Sequence, residues 1–512
     1  MTKKIIQCLL ILLLFSANCI IAQQLHPCGT VTGRSKWLKQ YQAHPDRFSK
    51  GSDNTIYVPM TIHILGTNTG SGYFRLPNFL DAFCRLNTDF EGTNLHFYIN
   101  GEINYINNTA WYQHDDILTG VEMMFENNIE NTLNVYFVDS PAGNCGYNLP
   151  YAGIANAKAC SDPDDHTWAH EVGHALSIPH PFLGWEGGVA HDGSINHNFN
   201  EPAPREVYYD YTLFKDQLYL DTLIIDTALV ELVDGSNCFE AADGFCDTKP
   251  DYVAQRWQCN SAGRSRVTQT DPDGQQFTSD GSLIMGYSLD QCSSRFTQEQ
   301  IAAMRANLLD QKASWLNDDP PLGTVNTDPI VVNSPFNEEI TAAENIYFEW
   351  DAVENATHYI LQVSRLSSFA FSEVDVVVEG NSFEVESLRA DRKYYWRIRP
   401  YNHYSACTTY SEISEFQTSS SVTSTEQITE NLDIEIYPNL IQKGESIQIH
   451  ANSTSQDFTL TIYSLDGRRW QEEKLDLHHG TSNLPFRFAK SGIYLLEMKN
   501  EKGIQIEKII VQ

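Results

Sequence analysis

Positive charge is scarce in this chain. Its 512 residues carry 34 Lys and Arg against 66 Asp and Glu, a formal net charge of −32. Phosphate binding needs clustered cations that release counterions, so nucleic acid is excluded as a main partner. A purely electrostatic grip on anionic lipid is excluded for the same reason. Long apolar runs are also missing. Beyond the first 22 residues no segment is long and apolar enough to span a bilayer, so no transmembrane anchor is expected. What is present is 41% hydrophobic and 12% aromatic residues, enough for packed cores rather than disorder. A chain of this length exceeds one core, and three or four domains are expected.

The N-terminus has the layout of a signal peptide over 1–22. Lys3 and Lys4 precede an apolar run from Ile5 to Phe15, and small Ala22 precedes Gln23. That run is too short for a membrane span. Asn18 stands before Cys19 where a lipoprotein wants a small residue, so cleavage near Ala22 is expected. Nine cysteines follow: Cys28, Cys84, Cys145, Cys160, Cys238, Cys246, Cys259, Cys292 and Cys407. An exported chain can keep disulfides, and an odd number leaves at least one thiol unpaired in a monomer.

Residues 23–54 are polar, show no strand pattern or long apolar face, and read as a pro-segment. From Thr55 regular structure begins. Ile56 to Leu65, Leu95 to Ile99 and Leu133 to Val138 read as strands. Phe79, Phe83 and Leu86 share one helical face, and a second helix lies around Val121 to Asn127. This alternation implies a mixed α/β domain over 55–316. Asp165 to Leu176 reads as a helix, and the polar and aromatic stretch that follows to Asp234 has no clear assignment. Thr297 and Gln300 form a capping box ahead of a helix with Ile301, Met304 and Leu308 on its apolar face. Residues 317–330 read as a linker. Residues 331–420 show short alternating strands, at Ile346 to Trp350, Tyr359 to Val363 and Tyr394 to Arg399, as in a β-sandwich. A Ser/Thr-rich linker (421–431) precedes a second all-β region, 432–512, with Asp466-Gly467 as a hairpin turn.

Chemistry concentrates in His170-Glu171-Val172-Gly173-His174. Residues four apart stack on one helical face, so His170 and His174 can offer two imidazoles to one ion. Glu171, beside the first, is placed to serve as general base. A catalytic zinc takes three protein ligands and keeps one position open. His180 is the expected third ligand. Pro179 forbids a regular helix there, so the chain must turn sharply after Leu176. Zinc would lower the pKa of bound water and polarise the scissile carbonyl, with Glu171 passing the proton to the leaving amine. His166, His191 and His197 lack ligand spacing and read as surface or hydrogen-bonded histidines.

The run HEVGHALSIPH resembles the extended zinc motif of the metzincins, most closely the pappalysin family of cytophagalysin and ulilysin-like enzymes. Cys246-Asp247-Thr248 is similar to that family's Asp-Thr-Pro segment. Ile284-Met285-Gly286-Tyr287-Ser288 resembles its Met-turn, and Cys292, Phe296-Thr297 and Gln300 resemble the segment after it. The resemblance covers about 55 to 315. It implies Met285 as a hydrophobic floor under the metal and Tyr287 as a stabiliser of the oxyanion. It also implies Ala152 to Ala157 as an edge strand that aligns an extended substrate. Cys28-Gly29-Thr30 resembles the start of pappalysin-like pro-segments, which makes Cys28 a cysteine switch whose thiolate blocks the open position. Implied disulfides are Cys246–Cys292 and Cys145–Cys160, with Cys238–Cys259 as a further pairing, while Cys84 is expected to be a buried thiol. One catalytic Zn2+ is expected. Ca2+ is a second candidate, with acidic loops near Asp243 and Asp247 as oxygen donors.

The chain departs from the family pattern in three places. Ser177 stands where the turn wants Gly, Lys249 is inserted before Pro250, and the stretch from His180 to Cys238 is long. A left-handed Ser costs about 1–2 kcal/mol and is expected to lower stability or shift His180.

Residues 331–420 resemble a fibronectin type III domain, with Trp350, Tyr359, Leu388 and Trp396 at core positions. Residues 432–512 resemble the C-terminal sorting domain of the type IX secretion system. The matching residues are Ile436-Tyr437-Pro438-Asn439, Ile462-Tyr463-Ser464-Leu465-Asp466-Gly467-Arg468, Ser491-Gly492-Ile493-Tyr494 and Lys508, with Leu440 where the family has Pro. The expected architecture is an α/β (α+β) metzincin-like catalytic domain followed by two β-sandwich domains. The expected function is a secreted zinc endopeptidase acting on extracellular protein or peptide, exported by the type IX machinery and free or retained at the cell surface. A zincin of another family would keep the same chemistry. The alternative from another class is a catalytically silent zinc-binding adhesin, and retention of Glu171 discriminates against it.

Overall fold

Apolar side chains run almost unbroken through strand β1 (Ile56–Gly66), which is buried from Val58 onward. Such a run marks a central parallel strand covered on both faces. In the computed structural model β1 lies between β2 (Leu95–Ile99) and β4 (Leu133–Val138), parallel to both. Strand β3 (Asn104–Asn107) pairs with the distal end of β1. Strand β6 (Gly153–Ala157) runs parallel to β4, and β5 (Gly146–Leu149) closes the edge antiparallel to β6. The structure describes residues 25–511 except 31–32, 52–53, 151, 187–196, 211–224, 318–322, 328, 420–433, 452–455, 465–468, 478–479, 484–486, 489 and 501–503. The expected signal peptide, His191, the expected second linker and the expected Asp466-Gly467 turn lie outside the described residues.

Helix α1 (Lys36–Ala43) falls inside 23–54, the span expected to be a pro-segment without a long apolar face. Ser35 caps it, and Leu38 and Tyr41 are enough to bury one side. Helix α2 (Leu76–Asp89) presents Phe79, Phe83 and Leu86 to the core, as their spacing predicts. Helix α3 (Ile117–Asn127) starts four residues before the expected segment, N-capped by Asp116. Phe79, Phe83 and Phe137 close around Trp168 of helix α4 (Thr167–Ala175). This aromatic packing holds α4 against the sheet, with residues Thr167 to His174 all buried. The segment without an assignment contains a hairpin of Glu206–Asp210 and Ile225–Leu229. Helix α5 (Gln298–Gln311) carries the expected capping box, and Met304 and Leu308 are fully buried.

The chain divides into two compact units. One holds the α/β domain and most of the first sandwich; the other holds residues 417–512 with the short stretches 340–346 and 386–393. In the first sandwich β7 (Val332–Ser334) pairs with β8 (Glu344–Trp350). Strand β9 (His358–Ser364) lies between β10 (Val374–Glu379) and β11 (Lys393–Tyr401), antiparallel to both. Trp350, Tyr359 and Trp396 are buried, whereas Leu388 is only half-buried and Val385 is the core residue near it. In the last region Tyr494, Leu496 and Met498 alternate inward along Gly492–Lys499 and pack with Phe458, Leu460 and Ile462.

Four disulfides are formed: Cys84–Cys407, Cys145–Cys160, Cys238–Cys246 and Cys259–Cys292. Two expected pairings, Cys246–Cys292 and Cys238–Cys259, are therefore corrected. The same four cysteines pair differently, because Cys246 sits within 5.1 Å (Cα–Cα) of its near neighbour Cys238. Cys84 is not a buried thiol, because α2 faces the sandwich segment that carries Cys407. Cys28 is the one free cysteine among the described residues.

Candidate metal centre

Helix α4 places His170 and His174 on one face, opposite the core side formed by Trp168, Ala169 and Val172. Its end explains the position of His180. The Ile178 amide donates to the Gly173 carbonyl at 2.9 Å and the Ser177 amide to the His174 carbonyl at 2.9 Å. Together these bonds make a Schellman motif, which needs a left-handed residue at Ser177. Ser177 has φ +70°, and the strain expected of a non-glycine residue is there. It does not displace His180, whose Nε2 lies 3.2 Å from that of His170 and 3.1 Å from that of His174. The Ser177 hydroxyl accepts a hydrogen bond from the Asn307 amide of α5 at 3.2 Å, a contact that glycine would lack.

The opposite nitrogen of each ring is engaged. His170 Nδ1 pairs with the Ile284 carbonyl at 2.8 Å, His174 Nδ1 with the Ile178 carbonyl at 2.8 Å, and His180 Nδ1 with Glu186 Oε1 at 3.1 Å. A ring donating from Nδ1 carries its lone pair on Nε2. Three lone pairs therefore converge, with His170 and His174 Nε2 atoms 3.1 Å apart. Ligand nitrogens about 2.0–2.1 Å from a tetrahedral zinc stand about 3.3 Å from one another, close to this spacing. Burial and mutual proximity keep the rings neutral. His170 is lowered to about 3 by burial and then by His180, and His174 falls well below its usual value. His180 is lowered to about 3 by burial and then by His26. The donor set fits zinc.

Cys28 Sγ completes the group at 3.6 Å from His174 Nε2, and the four ligand atoms lie within 4.8 Å of one another. Two residues on, the Thr30 hydroxyl donates to Glu171 Oε2 at 2.9 Å and accepts from the Asn148 amide at 2.7 Å. Glu171 is fully buried, its Oε1 has no partner, and burial raises its pKa to about 8. Residues 26–30 run along the edge strand. His26 and Gly29 amides donate to Gly143 and Gly146 carbonyls, and the Cys145 amide donates to the His26 carbonyl. The edge is thus β5, not Ala152 to Ala157, since β6 has neighbours on both sides.

Met285 is fully buried beneath α4, where a Cβ on Gly173 would meet its sulfur at 2.3 Å. Tyr287 is buried with its ring 5.0 Å from that of His180, and its hydroxyl donates to the Cys28 carbonyl at 3.4 Å. His166 is buried against Asp89 at 2.9 Å, away from the ligand set. Asp243 is buried, with Oδ1 accepting from the Phe245 amide and the Thr248 hydroxyl. Asp247 accepts from the Glu299 amide in the first turn of α5. Among the described residues no cluster of three His, Cys, Asp or Glu side chains includes Asp243 or Asp247, so the calcium expectation gains no support.

Glu186, Thr30 and Gly146 escaped the sequence reading. A Cβ on Gly146 would lie 2.8 Å from Glu171 Cγ, so the edge strand approaches Glu171 only because this residue is glycine. Thr30 lies in the Cys28-Gly29-Thr30 run, but nothing in that run tied its hydroxyl to Glu171; for Glu186 the position six residues past His180 was the available signal, and no local motif marks Gly146.

No curated protein matches the chain. Among solved structures, a mutant of Tannerella forsythia promirolysin is 16% identical, covering 57% of this chain and 97% of its own, with a TM-score of 0.38. Chicken CNTN1 fibronectin domains are 10% identical over 36% of this chain and 67% of theirs, TM-score 0.16. The fibronectin(III)-like modules of Clostridium thermocellum CbhA are 8% identical over 36% and 93%, TM-score 0.15. No helix among the described residues is long and apolar enough to cross a membrane. Residues 435–512 match the family described as the secretion system C-terminal sorting domain.

Proposed function

We propose that this chain is a secreted zinc endopeptidase held latent by its own residues 25–30. The observation that carries the reading is the convergence of three Nε2 atoms beside a buried carboxylate with one unpartnered oxygen. His170, His174 and His180 would hold the ion; zinc, when bound, lowers the pKa of water and polarises a carbonyl. Glu171 accepts a proton at its free Oε1 and returns it to the leaving amine. Tyr287, once parted from the Cys28 carbonyl, turns a hydroxyl donor toward the developing oxyanion. The Gly143 and Gly146 carbonyls and the Cys145 amide, now paired with residues 26 and 29, are the groups that an extended peptide would use.

Latency follows from the same contacts. Cys28, with Sγ 3.6 Å from His174 Nε2, would take the fourth ligand position of a bound ion, and the Thr30 hydroxyl holds Glu171 Oε2. The sorting-domain match supports export, with the type IX machinery as partner and the cell surface or medium as destination. The test is hydrolysis of a mixed peptide library by the full chain carrying Cys28→Ala, with Cys28→Ala/Glu171→Ala as control. Cleavage by the first and not the second is expected. If neither cleaves while both bind zinc, the reading fails and a silent zinc-binding adhesin takes its place.

A further inference from the structure

A second convergence of metal-ligand side chains lies far from the first. Glu102, His358 and His403 bring one carboxylate oxygen and two imidazole nitrogens within 4.8 Å of one another. They come from three separate segments and two domains. Glu102 sits between β2 and β3, just after Gly101, whose φ of +71° turns the chain there. His358 opens β9, and His403 follows β11.

Each histidine is held by its surroundings. His358 pairs in register with Tyr401, and its Nδ1 is hydrogen-bonded to the Thr357 hydroxyl at 2.8 Å, leaving Nε2 as the other donor atom. The two imidazoles are stacked, with centroids 5.5 Å apart and planes 14° from parallel. The His403 carbonyl accepts the Ile99 amide of β2 at 2.8 Å, and His96 Nε2 reaches the Tyr404 carbonyl at 3.2 Å. Nearby, Arg399 pairs with Asp81 at 2.5 Å and Cys84 is bonded to Cys407. The loop that carries His403 is therefore fixed to the α/β domain before any ion arrives. A fixed set costs little ordering entropy on binding.

We propose that Glu102, His358 and His403 form a structural site for a divalent transition-metal ion of the zinc class, which clamps the first β-sandwich to the α/β domain. Two imidazoles and a carboxylate are a donor set that zinc accepts readily, and calcium or magnesium does not favour. The ion would join a side chain of one domain to two of the other, where a hydrogen bond, an ion pair and a disulfide already meet.

The test uses the full chain, stripped with a chelator and re-equilibrated with Zn2+, with metal counted by atomic emission. His358→Asn/His403→Asn is expected to hold one equivalent less than the parent, whether or not the α4 centre is filled. That difference keeps this proposal separable from the peptidase reading. Glu102 is exposed, so Glu102→Gln leaves folding intact, and it is expected to weaken that equivalent at least tenfold. Zn2+ is also expected to slow hydrogen exchange of the Ile99 amide in the parent but not in the double variant. Unchanged zinc content in the double variant, or an unchanged affinity in Glu102→Gln, overturns the site. Equal exchange at Ile99 in parent and variant overturns the clamp.

Discussion

Replacing Ser177 separates two opposed terms at the turn that delivers His180. The left-handed backbone at φ +70° costs a non-glycine residue about 1–2 kcal/mol. Against that, the Ser177 hydroxyl satisfies the amide of Asn307, a residue 2% exposed whose Oδ1 already has no partner. Leaving a buried donor bare costs about 1–3 kcal/mol. Ser177→Ala keeps the strain and loses the bond, so a loss of about 1–3 kcal/mol is expected. Ser177→Gly loses the bond but relieves the strain, so it is expected to be about 1–2 kcal/mol more stable than Ser177→Ala. In an Asn307→Ala background the bond is gone at the start, and Ser177→Gly should then stabilise outright. The chain holds several domains, and a single global unfolding free energy is ill-defined. Hydrogen exchange of the Ile178 amide, which closes the turn on Gly173, reads the local free energy instead. Equal protection in the Gly and Ala variants, or greater protection in Ala, would refute the strain argument. Because His180 already sits at ligand distance, Ser177→Gly is expected to change peptidase activity by less than about threefold, around 0.65 kcal/mol.

Three further outcomes follow from the same geometry. Gly173→Ala drives a methyl into the Met285 sulfur and should cost about 1–3 kcal/mol of overpacking, partly offset by helix propensity; a thermal midpoint at or above the parent would contradict the Met285 floor. Glu186→Gln weakens the hold on His180 Nδ1 and should lower zinc affinity about 10–100-fold in a chelator competition, with no change in the fold. Glu231 is buried and its pKa is raised to about 9, by burial first and then by Asp243 and Asp251. A raised carboxyl stabilises the folded state below its unfolded value of about 4.3, and that stability is lost as pH climbs toward 9. Glu231→Gln should therefore flatten the fall in thermal midpoint between pH 5 and 9, measured with chelator present; an unchanged slope would mean that Glu231 does not titrate in this window.

Much of the candidate site could be read from the chain because its logic is local. A four-residue spacing puts His170 and His174 on one helical face whatever surrounds the helix, and Pro179 requires the chain to turn before His180. Strand and helix limits follow apolar periodicity, so Leu95–Ile99 and Leu133–Val138 match their expected spans. Thr297 and Gln300 cap their helix through bonds only three residues apart.

Contacts between distant segments had no such signal. The Cys84–Cys407 bond spans 323 residues, and which of four nearby cysteines pair depends on how loops fold back. Parity predicted that at least one thiol would stay free and the resemblance pointed to Cys28; the structure leaves Cys28 unpaired and buried against His174. The edge strand was misplaced because β5 and β6 are both short and buried, and only sheet order tells which one has an open side. Glu186 holds His180 through a loop without periodicity. Glu102, His358 and His403 share no motif at all and meet only because two domains dock. The sequence by itself determined what helical and strand periodicity can encode: the elements, the His170–His174 pair and the turn that follows. Tertiary structure decided whatever depends on distances across the chain, because those are set by the burial of many side chains at once.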